Sequence, residues 1–145
     1  MCLDLQLLWP RLPGRSYQGC SSTTHSERTP EDVIREQLAP FNAHSPDAMV
    51  ANLHDGFAWF AVDSDVTTLE TQGRGTFHQS MLDYFAQIPG ARSEIEDLFV
   101  AGSFVTALER AHWMQNGVEV SQASLSIYEI RQSLIYRVWY YPAFG

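Results

Sequence analysis

Lysine is absent from this 145-residue chain, so all nine basic side chains are arginines. That excludes a Schiff-base mechanism and a lysine acting as general base. Positive charge is scarce overall. The formal net charge is -8 at neutral pH, and phosphate recognition needs a basic face that this balance does not supply. Nucleic acid is therefore not an expected partner. Cysteine is nearly missing too: Cys2 and Cys20 are the only two. Both stand near the N-terminus, where they neither staple the later sequence nor show metal-type spacing. Such sparse usage fits a reducing, cytoplasmic setting. No run approaches the ~18 apolar residues of a membrane span. The apolar stretch from Leu3 to Trp9 is broken by Asp4 and Gln6 and has no basic region before it, so it does not read as a signal peptide. Ser-His-Asp and Cys-His arrangements are not found. Gly73-Arg74-Gly75 lacks the pattern of a phosphate loop, and Asp63-Ser64-Asp65 lacks the further ligands of a cation site. Neither a metal nor a cofactor is expected.

What is present suggests one domain behind an arm. Residues 1–28 are rich in Pro, Gly, Ser and Thr without a sustained period, and read as a flexible N-terminal arm. The domain, residues 29–145, opens at Thr29-Pro30-Glu31-Asp32, which combines an N-cap residue, proline at the first helical position and acids in the first turn. Val33, Ile34, Leu38 and Phe41 then fall on one helical stripe. Ser45-Pro46-Asp47 repeats the start signal for a second helix carrying Met49, Val50 and Leu53. Phe57 to Val62 reads as a strand and Asp63 to Gly75 as a polar loop. Thr76 to Ile88 reads as a third helix, stopped by Pro89-Gly90. Four strands follow: Arg92 to Ala101, Ser103 to Gln115, Val118 to Ile130 and Leu134 to Tyr141. Asn116-Gly117 marks the tight hairpin between the middle pair. The expected class is α+β.

Several stretches resemble the SnoaL-like polyketide cyclase and ketosteroid-isomerase-like group of the nuclear-transport-factor-2-like superfamily. They are Phe41-Asn42-Ala43-His44-Ser45-Pro46-Asp47-Ala48, Arg74-Gly75, Phe85 to Gly90, Val100 to Val105 with Glu109-Arg110, and Ile127 to Ile130 followed by Leu134 to Tyr141. The resemblance spans about Thr29 to Tyr141. It departs at Ser133, where the last turn of the family usually has glycine. It implies a cone: a strongly curved antiparallel sheet wrapped around three N-terminal helices, with an internal pocket. It does not imply one reaction. The positions used by ketosteroid-isomerase-like members hold Gln37, Phe60 and Ser126, and Phe60 cannot abstract a proton. Of the limonene-epoxide-hydrolase-like set only the arginine survives, as Arg110; its companions are replaced by His112, Tyr140, Ala58 and Phe60.

Strand alternation, oriented by the resemblance, turns Leu108, Arg110, His112 and Met114 inward. Ser124, Ser126, Tyr128 and Ile130, then Tyr136, Val138 and Tyr140, and finally Ala58, Phe60 and Val62 join them. On this reading His112 shuttles a proton while Arg110 and Tyr140 stabilise an oxyanion. Ala58, Phe60, Met114, Ser124, Ser126, Tyr128 and Val138 contact a small hydrophobic ligand. The alternatives are a buried histidine bonded to a carbonyl, and an arginine held in an ion pair with Glu31 or Asp55. His44, His54 and His78 read as helix-end or solvated residues. The outward face carries Trp113, Leu125, Ile127, Trp139 and Tyr141, more aromatic surface than a solvated sheet tolerates, so a homodimer through it is expected. Two functions stay open: cofactor-independent acid–base chemistry of the isomerase, cyclase or hydratase type, and a non-catalytic ligand-binding or dimerisation module. An interaction domain that recruits a partner through the arm is a third reading.

Overall fold

The computed structural model describes residues 28–144. The arm, with Cys2, Cys20 and the Leu3–Trp9 cluster, lies outside the described residues apart from Arg28. That residue is anchored on the domain. Its guanidinium donates to Glu36 and to Asn52 Oδ1 at 2.7 Å each, and to the Ser133 carbonyl at 2.7 Å.

The first helix, α1 (Pro30–Asn42), begins with a complete capping box: the Thr29 side chain accepts from Asp32 N, and the Asp32 carboxylate accepts from Thr29 N. These bonds hold the exposed Asp32 carboxyl below its ordinary range. Helix α2 is a single turn (Pro46–Val50) capped by Ser45. Leu53, assigned above to that helix, instead opens β1 (Leu53–Asp63). Next comes a strand where a polar loop was expected: β2 (Val66–Gln72) pairs antiparallel with β1. It is an edge strand exposed along nearly its whole length, so it lacks the buried alternation by which strands are read. Its β-branched residues were the remaining signal. Helix α3 (Arg74–Gln87) buries Phe77 and Phe85. The chain then runs through β3 (Arg92–Ala101), β4 (Phe104–Gln115), β5 (Val118–Arg131) and β6 (Leu134–Phe144).

The six strands form one sheet in the order β2-β1-β6-β5-β4-β3. Most pairs are antiparallel, as expected. β1 and β6 are parallel, joining the first strand to the last, and this makes the sheet mixed. The pairing is possible because the whole of the intervening chain serves as the crossover. Asn116 and Gly117 both have positive φ, 52° and 78°, as a two-residue hairpin requires. The β5–β6 turn has the same form with Gln132 at 53° and Ser133 at 58°, neither of them glycine. The helices pack on the concave side of the sheet, where Val33, Phe57, Phe77, Val105, Ile135 and Val138 belong to one core. This is the α+β cone that the resemblance implied.

Candidate functional site

A cavity of about 500 Å³ lies between the helices and the concave side of the sheet, and every strand and helix contributes to its wall. Its volume falls in the range of small-molecule sites. Apolar and aromatic groups dominate. Ile34, Leu38 and Phe41 come from α1, Phe57, Trp59 and Ala61 from β1, Phe77, Met81 and Tyr84 from α3, and Ile135, Val138 and Tyr140 from β6. Trp59 stacks on Phe77 at 6.2 Å and tilts against Tyr140 at 5.7 Å. The polar groups are few. Gln37 has its amide already committed, with Nε2 donating to Met49 O at 3.3 Å and Oε1 accepting from Asn52 at 3.0 Å.

The principal ionisable group in the wall is Glu109. Tyr128 donates its hydroxyl to Glu109 Oε1 at 2.6 Å, and Ser126 Oγ makes a longer contact of 3.5 Å with Oε2. Burial pushes the Glu109 carboxyl above the usual carboxylate range, and the two hydroxyl bonds only partly oppose it. The Tyr128 phenol is pushed well above its ordinary value, first by burial and then by the neighbouring Glu109. Burial also raises Tyr84, with a smaller contribution from Tyr140. A carboxyl whose pKa is raised by burial, set at the wall of an apolar cavity and bonded to a tyrosine, is a candidate acid–base group.

Arg110 and His112 are not in this wall. The inward row of β4 is Val105, Ala107, Glu109 and Ala111; the expected row of Leu108, Arg110, His112 and Met114 is displaced from it by one residue and faces outward. Arg110 is paired with Glu96, on the bulge of β3, and reaches Ser121 at 3.3 Å. The expected partners are engaged elsewhere, Glu31 with Arg35 and Asp55 with Arg74. His112 Nε2 lies 3.0 Å from Glu94 and its Nδ1 lies 3.6 Å from Glu119. Met114 is 54% exposed.

A similar one-residue displacement holds on β1. Phe57, Trp59 and Ala61 line the cavity in place of Ala58, Phe60 and Val62, and Phe60 stacks on Trp139 at 5.9 Å on the outer side. On β6, Val138 and Tyr140 line the cavity as expected. Tyr136 does not, because a register shift beside it brings Ile135 opposite Ile130. Ser124 and Tyr128 are in the wall, and Ser126 is fully buried behind it. Trp113 shares the alternation of Glu109 and Ala111 and so leaves the outward set. Leu125 with Tyr141, and Ile127 with Trp139, remain cross-strand pairs of the outer face.

The other described histidines have structural contacts. His44 Nε2 is 2.6 Å from Ala91 O, with its ring stacked on Phe85 at 4.3 Å. His54 Nδ1 accepts from Gly56 N at 2.9 Å, and His78 pairs with Asp47 at 2.6 Å. Among the described residues no group of His, Cys, Asp and Glu is arranged to hold a metal ion, and no helix is long and apolar enough to cross a membrane.

Glu109 was missed although its face is fixed by the hairpin. A two-residue turn at Asn116-Gly117 pairs Gln115 with Val118, and the same register brings Glu109 opposite Ser124. Directly opposed residues share a face, so an inward Ser124 requires an inward Glu109.

Known structures share this architecture at low identity. A cystatin-fold protein from Novosphingobium aromaticivorans is 18% identical, with a TM-score of 0.66 over 77% of this chain and 97% of its own. A protein with a ketosteroid isomerase-like fold from Catenulispora acidiphila, in complex with trimethylamine, is 15% identical, with a TM-score of 0.68 over 80% and 88%. A SnoaL-like polyketide cyclase from Agrobacterium tumefaciens is 18% identical, with a TM-score of 0.63 over 78% and 90%. No curated protein matches the sequence. The SnoaL-like domain matches residues 34–138, a span that holds all of the cavity wall except Tyr140, and the chain belongs to the SnoaL-like domain family.

Proposed function

We propose that this protein binds a small hydrophobic molecule in the cone cavity and performs cofactor-independent acid–base chemistry on it, of the isomerase or cyclase type. Glu109 is the acid–base group, Tyr128 positions it, and the phenols of Tyr84 and Tyr140 donate hydrogen bonds to an oxygen of the substrate. The observation that carries this reading is the Glu109–Tyr128 contact of 2.6 Å at the cavity wall. A protonated carboxylic acid there can deliver a proton; once ionised it can remove one from carbon beside a carbonyl. The surrounding apolar wall keeps water from competing and strengthens each electrostatic contact. Family membership supports small-molecule binding, since polyketide cyclases share the domain.

Native mass spectrometry of freshly purified protein identifies the co-purifying molecule. With that molecule or its congeners as substrate, Glu109→Gln lowers turnover about 100-fold or more while the ligand still binds. Unchanged turnover would remove Glu109 from the chemistry. Equal ligand binding with no turnover in either protein would favour a binding module without catalysis.

The outer sheet face supports a second part of the reading, a homodimer. Leu108, Leu125, Ile127, Trp139 and Phe60 form a continuous half-buried apolar strip there, and a second copy presenting the same strip covers it symmetrically. A solution mass equal to one chain at micromolar concentration counts against the dimer. The scarcity of cysteine supports a cytoplasmic setting.

A further inference from the structure

We propose that the cavity takes its ligand as a cation, a small hydrophobic tertiary or quaternary ammonium held against the Trp59–Tyr140 wall with Glu109 as counter-charge. This names the ligand class of the site just described and rests on that reading.

Three observations converge on it. First, the cavity wall contains no Arg, Lys or His among the described residues; its ionisable groups are Glu109, Glu70, Tyr84, Tyr128 and Tyr140. A carboxylate or phosphate ligand would be buried beside a carboxyl with no opposite charge to offset desolvation. The nearest guanidinium along β4, Arg110, is turned outward to Glu96. Second, among the described residues the partners of Glu109 are hydroxyls, those of Tyr128 and Ser126. Its carboxylate form gains no counter-ion from a neutral ligand, whereas an ammonium supplies one. Third, the wall offers aromatic faces in contact with one another: Trp59 against Phe77 and Tyr140, and Phe57 edge-on to Phe77 at 5.1 Å. Such faces attract an ammonium most strongly where water is excluded. The net charge of -8 acts in the same direction at longer range, concentrating cations around the protein.

The proton balance follows. A tertiary amine entering as free base takes the Glu109 proton, forming N–H as O–H breaks and leaving an ammonium–carboxylate pair. A quaternary ammonium accepts no proton, so any proton carried by Glu109 passes to solvent as the ion pair forms. The other titratable groups of the wall are the phenols of α3, β5 and β6 and Glu70 of β2; α1 and β3 bring only Gln37 and Ser93 as polar groups. In either case the bound pair holds Glu109 as the carboxylate, the form that abstracts a proton.

The test is calorimetric titration of the full chain with benzyltrimethylammonium, its uncharged carbon isostere neopentylbenzene, and phenylacetate, in one cosolvent. The expected order has the ammonium about tenfold or more tighter than the isostere, with phenylacetate unbound. Affinity for the ammonium rises with pH across the Glu109 titration, with proton release seen as a dependence of heat on buffer, while affinity for the isostere stays flat. In Glu109→Gln the preference for the ammonium shrinks to about threefold or less and the isostere binds as before. Should that variant not fold, the probe series on the unaltered chain still decides. Equal or tighter binding of the isostere, or measurable binding of phenylacetate, overturns the cation inference and leaves the ligand-binding cavity standing. Failure of every probe to bind overturns both.

Discussion

Glu109 and Arg110 are adjacent in sequence and opposite in circumstance. The first points into the cavity, where burial raises its pKa and where, among the described residues, a tyrosine and a serine are its partners. The second lies on the outer face of β4 in an ion pair with Glu96, next to His112 between Glu94 and Glu119. The outer face of β4 therefore sets basic side chains beside acids, whereas the inner face sets Glu109 in a cavity wall that has no basic side chain among the described residues. Ion pairs that answer each other near solvent stabilise by about 0–1 kcal/mol and do little else. An acid left without an opposite charge in an apolar space costs stability, and a cost of that kind is retained at working sites.

The sharpest way to break this contrast is to neutralise the inner acid and follow stability against pH. The folded-state pKa of Glu109 is raised, so between its ordinary value and that raised value the folded chain keeps a proton the unfolded chain has released. Stability therefore falls as pH rises through that window, and above it the full penalty applies. Glu109→Gln removes the penalty. Its thermal midpoint should match the parent at acidic pH and exceed it increasingly as pH rises towards neutrality. Parallel curves would mean that Glu109 is not held protonated by burial. Next in size is a charge placed on the outer strip. Trp139→Glu should convert a dimer to single chains by sedimentation and leave binding of the co-purifying ligand within about twofold, since Trp139 is outside the cavity. The smallest effects belong to the outer ion pairs. Arg110→Ala and His112→Ala should each cost about 1 kcal/mol or less in denaturant unfolding and leave turnover unchanged. Loss of turnover in either would return the chemistry to the outer face.

Helices, hairpin and cone were legible because each rests on a strong local signal or a periodic one. Thr29-Pro30 with its two acids opened α1 at the expected residue, and Asn116-Gly117 turned the chain where expected. The face of each long strand was less legible. Alternation gives two rows per strand but not which row is inner, and an aromatic row such as Phe60 and Trp139 fits either side. On β4 the inner row looks the weaker candidate, since Ala107 and Ala111 flank Glu109, while Leu108, Arg110 and His112 carry the larger groups. The small alanines are what leave room for a cavity. Pairing arithmetic from the hairpin resolves β4. Nothing comparable resolves β1, whose two neighbours are an exposed edge strand and a partner distant in sequence. Tyr136 was displaced by an irregularity beside the β5–β6 turn, which periodicity cannot report.

The parallel pairing of β1 with β6 also bears on how the protein comes into being. The hollow needs Phe57 and Trp59 from the first strand beside Val138 and Tyr140 from the last. A nascent chain thus cannot shape a receptor for its ligand until the final strand has left the ribosome. Contacts of such sequence separation are slow to form. A shortened product lacking the last strand would expose the flank of β1 and the apolar floor together, inviting aggregation.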